Sequence, residues 1–268
     1  MKMFDHSPEE VWRDYLMGGK ITEKIRRRKI IHRFFPGSPR CTICYVPFGG
    51  LGGKVANVLW DMAPSKLNPY YCNVCDQFAE ENQGGAEIEL SMLFADVRGS
   101  SALAEKMGNK EYSELINRFY QEVTGVLINE HALIEKLIGD EVTALFIPGW
   151  LGQDHAVKAV SAARKILEAT GHKDRGGPWI PVGVGIHTGK AFVGAVGNKN
   201  GVTDIVALGD DVNIAARLAS MAKPGEIVIS RKAVAAARII DNATVRSLNL
   251  KGRESPVEAS VIDVAWEN

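Results

Sequence analysis

From residue 87 onward, short apolar runs and longer amphipathic segments follow one another in an order that few folds share. The short runs have the length of buried strands, and the longer segments repeat apolar residues at helical spacing. The elements are a strand over 87–97, a helix over 112–127, strands over 132–138 and 141–147, a helix over 153–169 and a strand over 180–187. This β-α-β-β-α-β order predicts an α+β fold with a ferredoxin-like core.

The C-terminal part of the chain extends this core. We expect a glycine-rich hairpin, a helix over 211–221 with Asp210 or Asp211 as its cap, and closing strands near Ile227, Ala243 and Val261. The catalytic domain is therefore predicted over residues 86–268.

The N-terminal part has a different character. Ser7, Pro8 and Glu10 predict a capped helix that ends at the Gly18-Gly19 pair. A second helix over 21–35 is expected to bury Ile21, Ile25, Ile31 and Phe34 and to solvate a basic face between Lys24 and Lys29. We divide this part into a helical segment over 1–36 and a four-cysteine segment over 37–85, the latter ending in a polar linker over 80–85.

All four cysteines lie in the second segment, as two Cys-x-x-Cys pairs: Cys41 with Cys44, and Cys72 with Cys75. Two such pairs supply four thiolates for a tetrahedral metal ion. A short segment with little core of its own needs such a link, which favours structural Zn²⁺. An iron site or a redox-sensitive dithiol pair is the alternative.

Charge and hydropathy exclude several classes of protein. The 32 Lys and Arg residues balance 32 Asp and Glu residues, so no nucleic-acid partner is expected. No stretch approaches the roughly 18–20 apolar residues of a membrane span, and the N-terminus lacks the pattern of a signal peptide. A cytoplasmic protein without a transmembrane segment is predicted.

Two carboxylates fall at positions suited to metal binding. Asp96 ends the first strand of the core, and Asp140 lies on the hairpin that can pair beside that strand. Two such carboxylates can share two Mg²⁺ or Mn²⁺ ions roughly 3.5–4 Å apart. On the helix over 211–221, Asn213 and Arg217 are four residues apart and share one face. Arg217 suits a phosphoryl group in a transition state, and Asn213 suits a ribose.

Five segments in this order resemble the class III nucleotide cyclases, which make cyclic AMP or cyclic GMP. The resemblance covers residues 86–265. The segments are FADVRGSS, EKLIGDEV, GVGIHTGKAFVGAVG, ALGDDVNIAARL and LKGR.

The resemblance implies a role for each matching residue. Asp96 and Asp140 match the pair that binds two metal ions, with the carbonyl of Val97 assisting. The other implied residues are Lys136 for the purine, Asn213 for the ribose, Arg217 for the transition state and Lys251 for the terminal phosphates. In that family the ribose 3′-hydroxyl attacks the α-phosphorus and pyrophosphate leaves. Two catalytic domains share each site, so a head-to-tail homodimer is expected.

One position departs from the family pattern. Val206 stands where cyclases that prefer ATP commonly carry Asp or Thr, and valine offers no hydrogen bond to adenine. We predict ATP as substrate because of Lys136, with GTP or weak selectivity as the alternative. His187 and the glycines around it are interpreted as packing residues without a catalytic role.

Two further hypotheses belong to other classes. A catalytically silent module that binds a nucleotide is favoured by Val206 alone, since Asp96, Asp140 and Arg217 are retained. Another two-metal enzyme, such as a polymerase or a cyclic dinucleotide synthase, shares paired carboxylates but does not require Lys136 together with the helix face of Asn213.

Overall fold

The structure is a computed structural model and describes residues 7–198, 201–239, 244–248 and 257–264. The chain divides into two compact units. Unit one comprises Met1–Ile88, Pro148–Trp150 and Ala191–Leu208; unit two comprises Glu89–Ile147, Leu151–Lys190 and Gly209–Asn268. Strands that cross a boundary contribute residues to each unit.

The described helices and strands are bounded as follows. The helices are α1 (Pro8–Met17), α2 (Lys20–Arg33), α3 (Gly50–Trp60), α4 (Asn73–Glu81), α5 (Ser100–Lys106), α6 (Asn109–Asn129), α7 (Pro148–Leu151), α8 (His155–Ala169), α9 (Asp210–Met221) and α10 (Arg231–Ala237). The strands are β1 (Gly84–Val97), β2 (Leu133–Ile138), β3 (Glu141–Phe146), β4 (Val182–Gly197), β5 (Thr203–Leu208), β6 (Glu226–Ser230), β7 (Thr244–Leu248) and β8 (Val257–Asp263).

The strands form one open sheet in the order β2-β3-β1-β4-β6-β8-β7, and β5 pairs with β4 outside this path. The segment β1-α6-β2-β3-α8-β4 has the predicted β-α-β-β-α-β order, with α5 added after β1, and the β2-β3 hairpin lies beside β1. The predicted α+β class with a ferredoxin-like core is confirmed.

Unit two is built on two apolar clusters that lie on opposite faces of its strands. The larger cluster takes Phe119 from α6, Ile166 from α8 and Ile227 from β6. The smaller cluster takes Leu218 from α9 and Val228 from β6. Neighbouring residues of a strand point to opposite faces, so α9 covers the face opposite α6 and α8. Each fully buried side chain of this size contributes about 1.5–3 kcal/mol.

The glycines of β4 allow close packing against α9, as predicted. A Cβ atom on Gly185 would lie 2.2 Å from the backbone nitrogen of Ala219, and one on Gly189 would lie 2.3 Å from a carboxylate oxygen of Asp211. Any side chain at these two positions would separate the strand from the helix. The strand itself is longer than predicted, running to Gly197 and not to residue 187.

In unit one, the predicted cap of α1 is confirmed and the predicted face of α2 is wrong. The Ser7 hydroxyl accepts from the amide of Glu10, whose carboxylate accepts from the amide of Ser7. On α2, however, Ile31 is 48% exposed. Phe34, the C-cap residue of this helix, is 83% exposed. The buried residues are Thr22, Lys29 and His32. Packing of the neighbouring aromatic residues therefore overrides the apolar pattern of the helix.

The four-cysteine segment contains two helices that composition did not predict, α3 and α4. The polar linker predicted over 80–85 is also wrong, because α4 continues to Glu81 and β1 begins at Gly84. The indole of Trp12 on α1 donates to the carbonyl of Asn82 at 2.7 Å, and its ring lies 5.6 Å from that of Phe78. The stretch before β1 is thus packed against α1.

None of the described helices combines the length and the apolar character that a bilayer crossing requires.

Candidate functional site

Asp96 and Asp140 are brought together in unit two by the pairing of β1 with β3. Asp96 stands opposite Glu141 in the antiparallel register, and the next amide, that of Val97, donates to the carbonyl of Asp140 at 3.1 Å. The turn before β3 contains Gly139 at a φ of 61°, a backbone conformation that glycine adopts at little cost. The hydroxyl of Tyr120 donates to the Gly139 carbonyl at 2.7 Å and holds this turn from α6.

Negative charge collects around the two aspartates, and one guanidinium of the same chain lies against it. Burial, followed by the negative charge of Asp140, raises the pKa of the Glu141 carboxyl. The guanidinium of Arg98 contacts the carboxylate of Asp96, and it also donates to the carbonyl of Ser220 at 3.1 Å. Carboxylate oxygens are the ligands that Mg²⁺ and Mn²⁺ prefer, so the donor set fits these ions.

Lys136 lies on the same hairpin as Asp140. It pairs with Thr143 just after an irregularity in the β2-β3 register, and its side chain is half-buried. The residue before it, Glu135, accepts from the Thr143 hydroxyl at 3.1 Å. The two residues that the resemblance assigned to the purine and to the metal are therefore carried by one hairpin.

Asn213 and Arg217 lie on α9, as predicted, but the cap of this helix differs. Its N-cap is Gly209, and no side chain caps it. Asp211 instead accepts from the Lys190 amide at 2.8 Å and lies 2.9 Å from Nε2 of His187. The prediction of an aspartate cap is wrong because β4 approaches the first turn closely enough to bind this carboxylate.

His187 is buried and its Nε2 is bonded to Asp211, which agrees with its interpretation as a core residue. Burial alone would raise the pKa of the Asp211 carboxyl. The hydrogen bonds from His187 and from the Lys190 amide outweigh burial, and the net pKa is lowered. Asp211 is therefore the group that ties α9 to β4.

The structure does not join the two sets of predicted site residues within one chain. Throughout the described residues, no hydrogen bond or ion pair connects the side chain of Asn213 or Arg217 to Asp96 or Asp140. Asn213 is exposed, and Arg217 is half-buried. Both are free to contact a ligand or a second chain.

Two further predicted residues lie elsewhere. Val206 is a buried residue of β5, where it pairs with Gly194 in unit one. Lys251 lies outside the described residues.

The four cysteines of unit one converge. All are buried, and their Sγ atoms lie within 4.8 Å of one another. The Sγ atoms of Cys44 and Cys72 are 3.7 Å apart, close to the separation of about 3.8 Å that a tetrahedral zinc with bonds near 2.3 Å requires. The amide of Cys72 donates to Sγ of Cys41 at 3.4 Å, a hydrogen bond that would stabilise the negative charge of a metal-bound thiolate. The donor set therefore fits a four-thiolate metal ion.

A buried cation beside this cluster was missed at the sequence level. Nζ of Lys29 lies 3.3 Å from the ring centroid of Trp150 and 4.4 Å from that of Tyr45. Burial lowers the pKa of Lys29 to about 7, and the negative charge of Cys44 and Cys41 partly opposes this. The predicted solvated basic face is wrong for Lys29, because a run of basic residues gives no signal that one of them is buried.

Known proteins similar to this chain include cyclases. The family model for the adenylate and guanylate cyclase catalytic domain matches residues 85–261. The adenylate cyclase of Anabaena cylindrica is 29% identical over 164 residues, which are 58% of this chain and 32% of that protein. The chain spans about a third of the length of the first curated relatives that it matches.

Solved structures agree with this assignment. The guanylyl cyclase Cya2 superposes with a TM-score of 0.60 at 26% identity, over 66% of this chain and 93% of that one. The adenylyl cyclase CyaB from P. aeruginosa superposes with a TM-score of 0.58 at 28% identity, over 66% of this chain and 95% of that one. Since the family model covers more than half of its residues, this chain belongs to the family of adenylate and guanylate cyclase catalytic domains.

Proposed function

We propose that the chain converts ATP into 3′,5′-cyclic AMP and pyrophosphate at sites shared by two copies. The observation that carries the proposal is the pairing of Asp96 with Glu141 at the end of β1, which sets the backbone of Asp140 beside Val97, within a domain of the cyclase family. Bound Mg²⁺ or Mn²⁺ ions, two per site, would lower the pKa of the ribose hydroxyl and offset the charge of the triphosphate.

The chain's own residues have separate tasks. Asp96, Asp140 and the carbonyl of Val97 hold the cations, and Lys136 donates to the purine. Asn213 hydrogen-bonds the ribose and fixes its 3′-hydroxyl in line with the α-phosphorus. Arg217 presents a planar cation to the negative charge that builds on the α-phosphoryl group. Lys251 contacts the terminal phosphates.

A homodimer explains why one chain carries both the aspartate pair and the α9 residues Asn213 and Arg217. The side chains of Asn213 and Arg217 have no bond to the aspartate pair among the described residues. A head-to-tail pair of chains would set α9 of one copy against Asp96 and Asp140 of the other. Such a pair has two equivalent sites, so an isolated chain would be nearly inactive.

GTP is the second candidate substrate. Val206 leaves Lys136 as the main polar group that reads the base, and a lysine can donate to adenine N1 or to guanine O6. One of the similar structures is a guanylyl cyclase and another is an adenylyl cyclase. The chain would therefore select weakly between the two bases.

We propose that the cysteine cluster holds a structural zinc ion. Four buried thiols within 4.8 Å match its preferred ligand set. We propose a cytoplasmic location, because free cysteines that bind a metal persist in a reducing compartment. In this proposal, residues 1–36 form a helical segment, residues 37–85 the zinc segment and residues 86–268 the catalytic domain.

The test is product formation by the purified protein, with ATP and GTP supplied separately and with Mg²⁺ or Mn²⁺. We expect cyclic nucleotide and pyrophosphate, and a loss of at least about a hundredfold in Asp96→Asn and Asp140→Asn. Asp154→Asn, an exposed aspartate of unit two, is the matched control and should retain the rate. If a dimeric protein forms no cyclic product, a silent nucleotide-binding module replaces the proposal.

A further inference from the structure

The outer edge of β5 is held by the segment that carries the cysteines. In unit one, β5 pairs with β4 along one side. On the other side, the amide of Ile205 donates to the hydroxyl of Tyr71 at 2.9 Å, and Nδ2 of Asn68 donates to the carbonyl of Thr203 at 3.3 Å. Side chains thus take the place that a further strand would occupy beside β5.

Tyr71 makes two bonds to β5 with one hydroxyl. It accepts from the Ile205 amide and donates to Oδ1 of Asp204 at 2.5 Å. The side chain is 3% exposed, so these two bonds are shielded from water. The phenol is therefore fixed against both Asp204 and the backbone of Ile205.

The position of Tyr71 is set by the cysteine cluster. Its neighbour Cys72 is one of the four converging thiols, and the amide of Cys72 donates to Sγ of Cys41. The amide of Thr42, between the first two cysteines, donates to the carbonyl of Tyr70 at 3.0 Å. The two Cys-x-x-Cys pairs are therefore joined on both sides of the Tyr71 backbone.

We propose that Tyr71 is a positioning residue that links the cysteine metal site to the strand that reads the purine. The residue after Ile205 is Val206, the base-reading position, so this inference rests on the proposed cyclase function. A metal ion on the four thiols fixes Tyr71, Tyr71 fixes β5, and β5 fixes the surface against which the base binds. Release of the metal loosens β5 and weakens nucleotide binding without altering the groups that perform the chemistry.

Tyr71→Phe tests this link, because it removes the hydroxyl and keeps the ring. We expect amide hydrogen exchange at Ile205 to accelerate about tenfold. We also expect KM for the nucleotide to rise about three- to tenfold, with kcat changing by less than about twofold. Tyr70→Phe, on an adjacent side chain that is 50% exposed, is the matched control and should change neither. Both variants should bind as much zinc as the wild type.

Removal of the metal provides a second test of the link between the cysteine cluster and β5. Chelation should accelerate exchange at Ile205 in the wild type to the level of Tyr71→Phe, and should add little further change in that variant. If amide exchange at Ile205 is the same in Tyr71→Phe as in the wild type, the link is refuted. The link is also refuted if Tyr71→Phe still cyclises the nucleotide with an unchanged KM. A wild type that makes no cyclic product would instead refute the proposed function, and the exchange measurements would still decide whether Tyr71 holds β5.

Discussion

Nε2 of His187 lies 2.9 Å from Oδ1 of Asp211, and this contact joins β4 to the first turn of α9. Asp211 is two residues before Asn213, and Gly189 leaves the space that its carboxylate occupies. The contact therefore sets the start of the helix that presents Asn213 and Arg217. An aspartate in the first turn, the pattern of a helix cap, here joins the helix to the sheet.

Replacement of Asp211 should destabilise the protein in a pH-dependent way. We expect Asp211→Ala to lower the free energy of unfolding by about 1–3 kcal/mol at pH 7, because His187 and the Lys190 amide lose a charged acceptor. The carboxyl of Asp211 has a lowered pKa in the fold. Its contribution is therefore complete above the ordinary aspartate pKa of about 3.9 and is lost as the pH falls through the lowered value.

Denaturant unfolding of wild type and Asp211→Ala from pH 7 to pH 2.5 measures this difference. It should shrink below about pH 4. Glu122→Ala, at an exposed site in the middle of α6, should match the wild type. A difference that stays constant across the pH range would show that the lost interaction does not depend on the charge of Asp211.

A polar residue at position 206 should sharpen the choice of base. Val206→Thr adds a hydroxyl at nearly constant volume, and we expect the ratio of kcat/KM for ATP over GTP to rise about tenfold. The measurement is steady-state cyclisation of each nucleotide. Val196→Thr, on the exposed part of β4, is the control and should leave the ratio unchanged. If the wild type, Val206→Thr and Val196→Thr have the same ratio of kcat/KM for ATP over GTP, Val206 does not contact the base.

The cysteine cluster should hold metal in the purified protein. We expect about one zinc per chain by elemental analysis, and a fall in thermal stability on chelation, because metal binding and folding of such a segment are coupled. Cys72→Ser should lose the metal. Thr42→Ser, between the first two cysteines, should keep it. If elemental analysis finds iron and no zinc, the iron or redox alternative replaces the structural zinc. If the purified protein contains no metal and chelation leaves its thermal stability unchanged, a structural metal ion is contradicted.

The repeating order of elements was enough to predict the core. Apolar residues recur every second position in a strand and about every 3.6 positions in a helix, so the two kinds of element can be told apart in the sequence. The Gly139-Asp140 turn marks the β2-β3 hairpin, and the ferredoxin-like arrangement follows from these local signals. The placement of Asp96 beside Asp140 then follows from that topology. Asp96 lies near the end of β1 and Asp140 lies in the turn between β2 and β3, so the order of these elements along the chain was informative.

The N-terminal part was predicted less well because long-range packing decides it. Phe34 at the end of α2 is exposed and Lys29 is buried, which reverses the usual preference of both residue types. Lys29 is accommodated by the rings of Trp150 and Tyr45 and by the negative charge of nearby thiols. Trp150 is distant in sequence, and no local pattern connects it to α2. The helix α3 was missed because its glycines resemble those of a loop.

Mixing two inactive variants tests the shared site most directly. Asp96→Asn and Arg217→Ala are each expected to be inactive alone. If one chain supplies the metal ligands and the other supplies Arg217, an equal mixture that exchanges subunits forms one intact site in each mixed dimer. Random pairing then predicts about a quarter of the wild-type rate of cyclic nucleotide formation. A mixture in which exchange is demonstrated but which stays as inactive as its components would contradict a site divided between two chains.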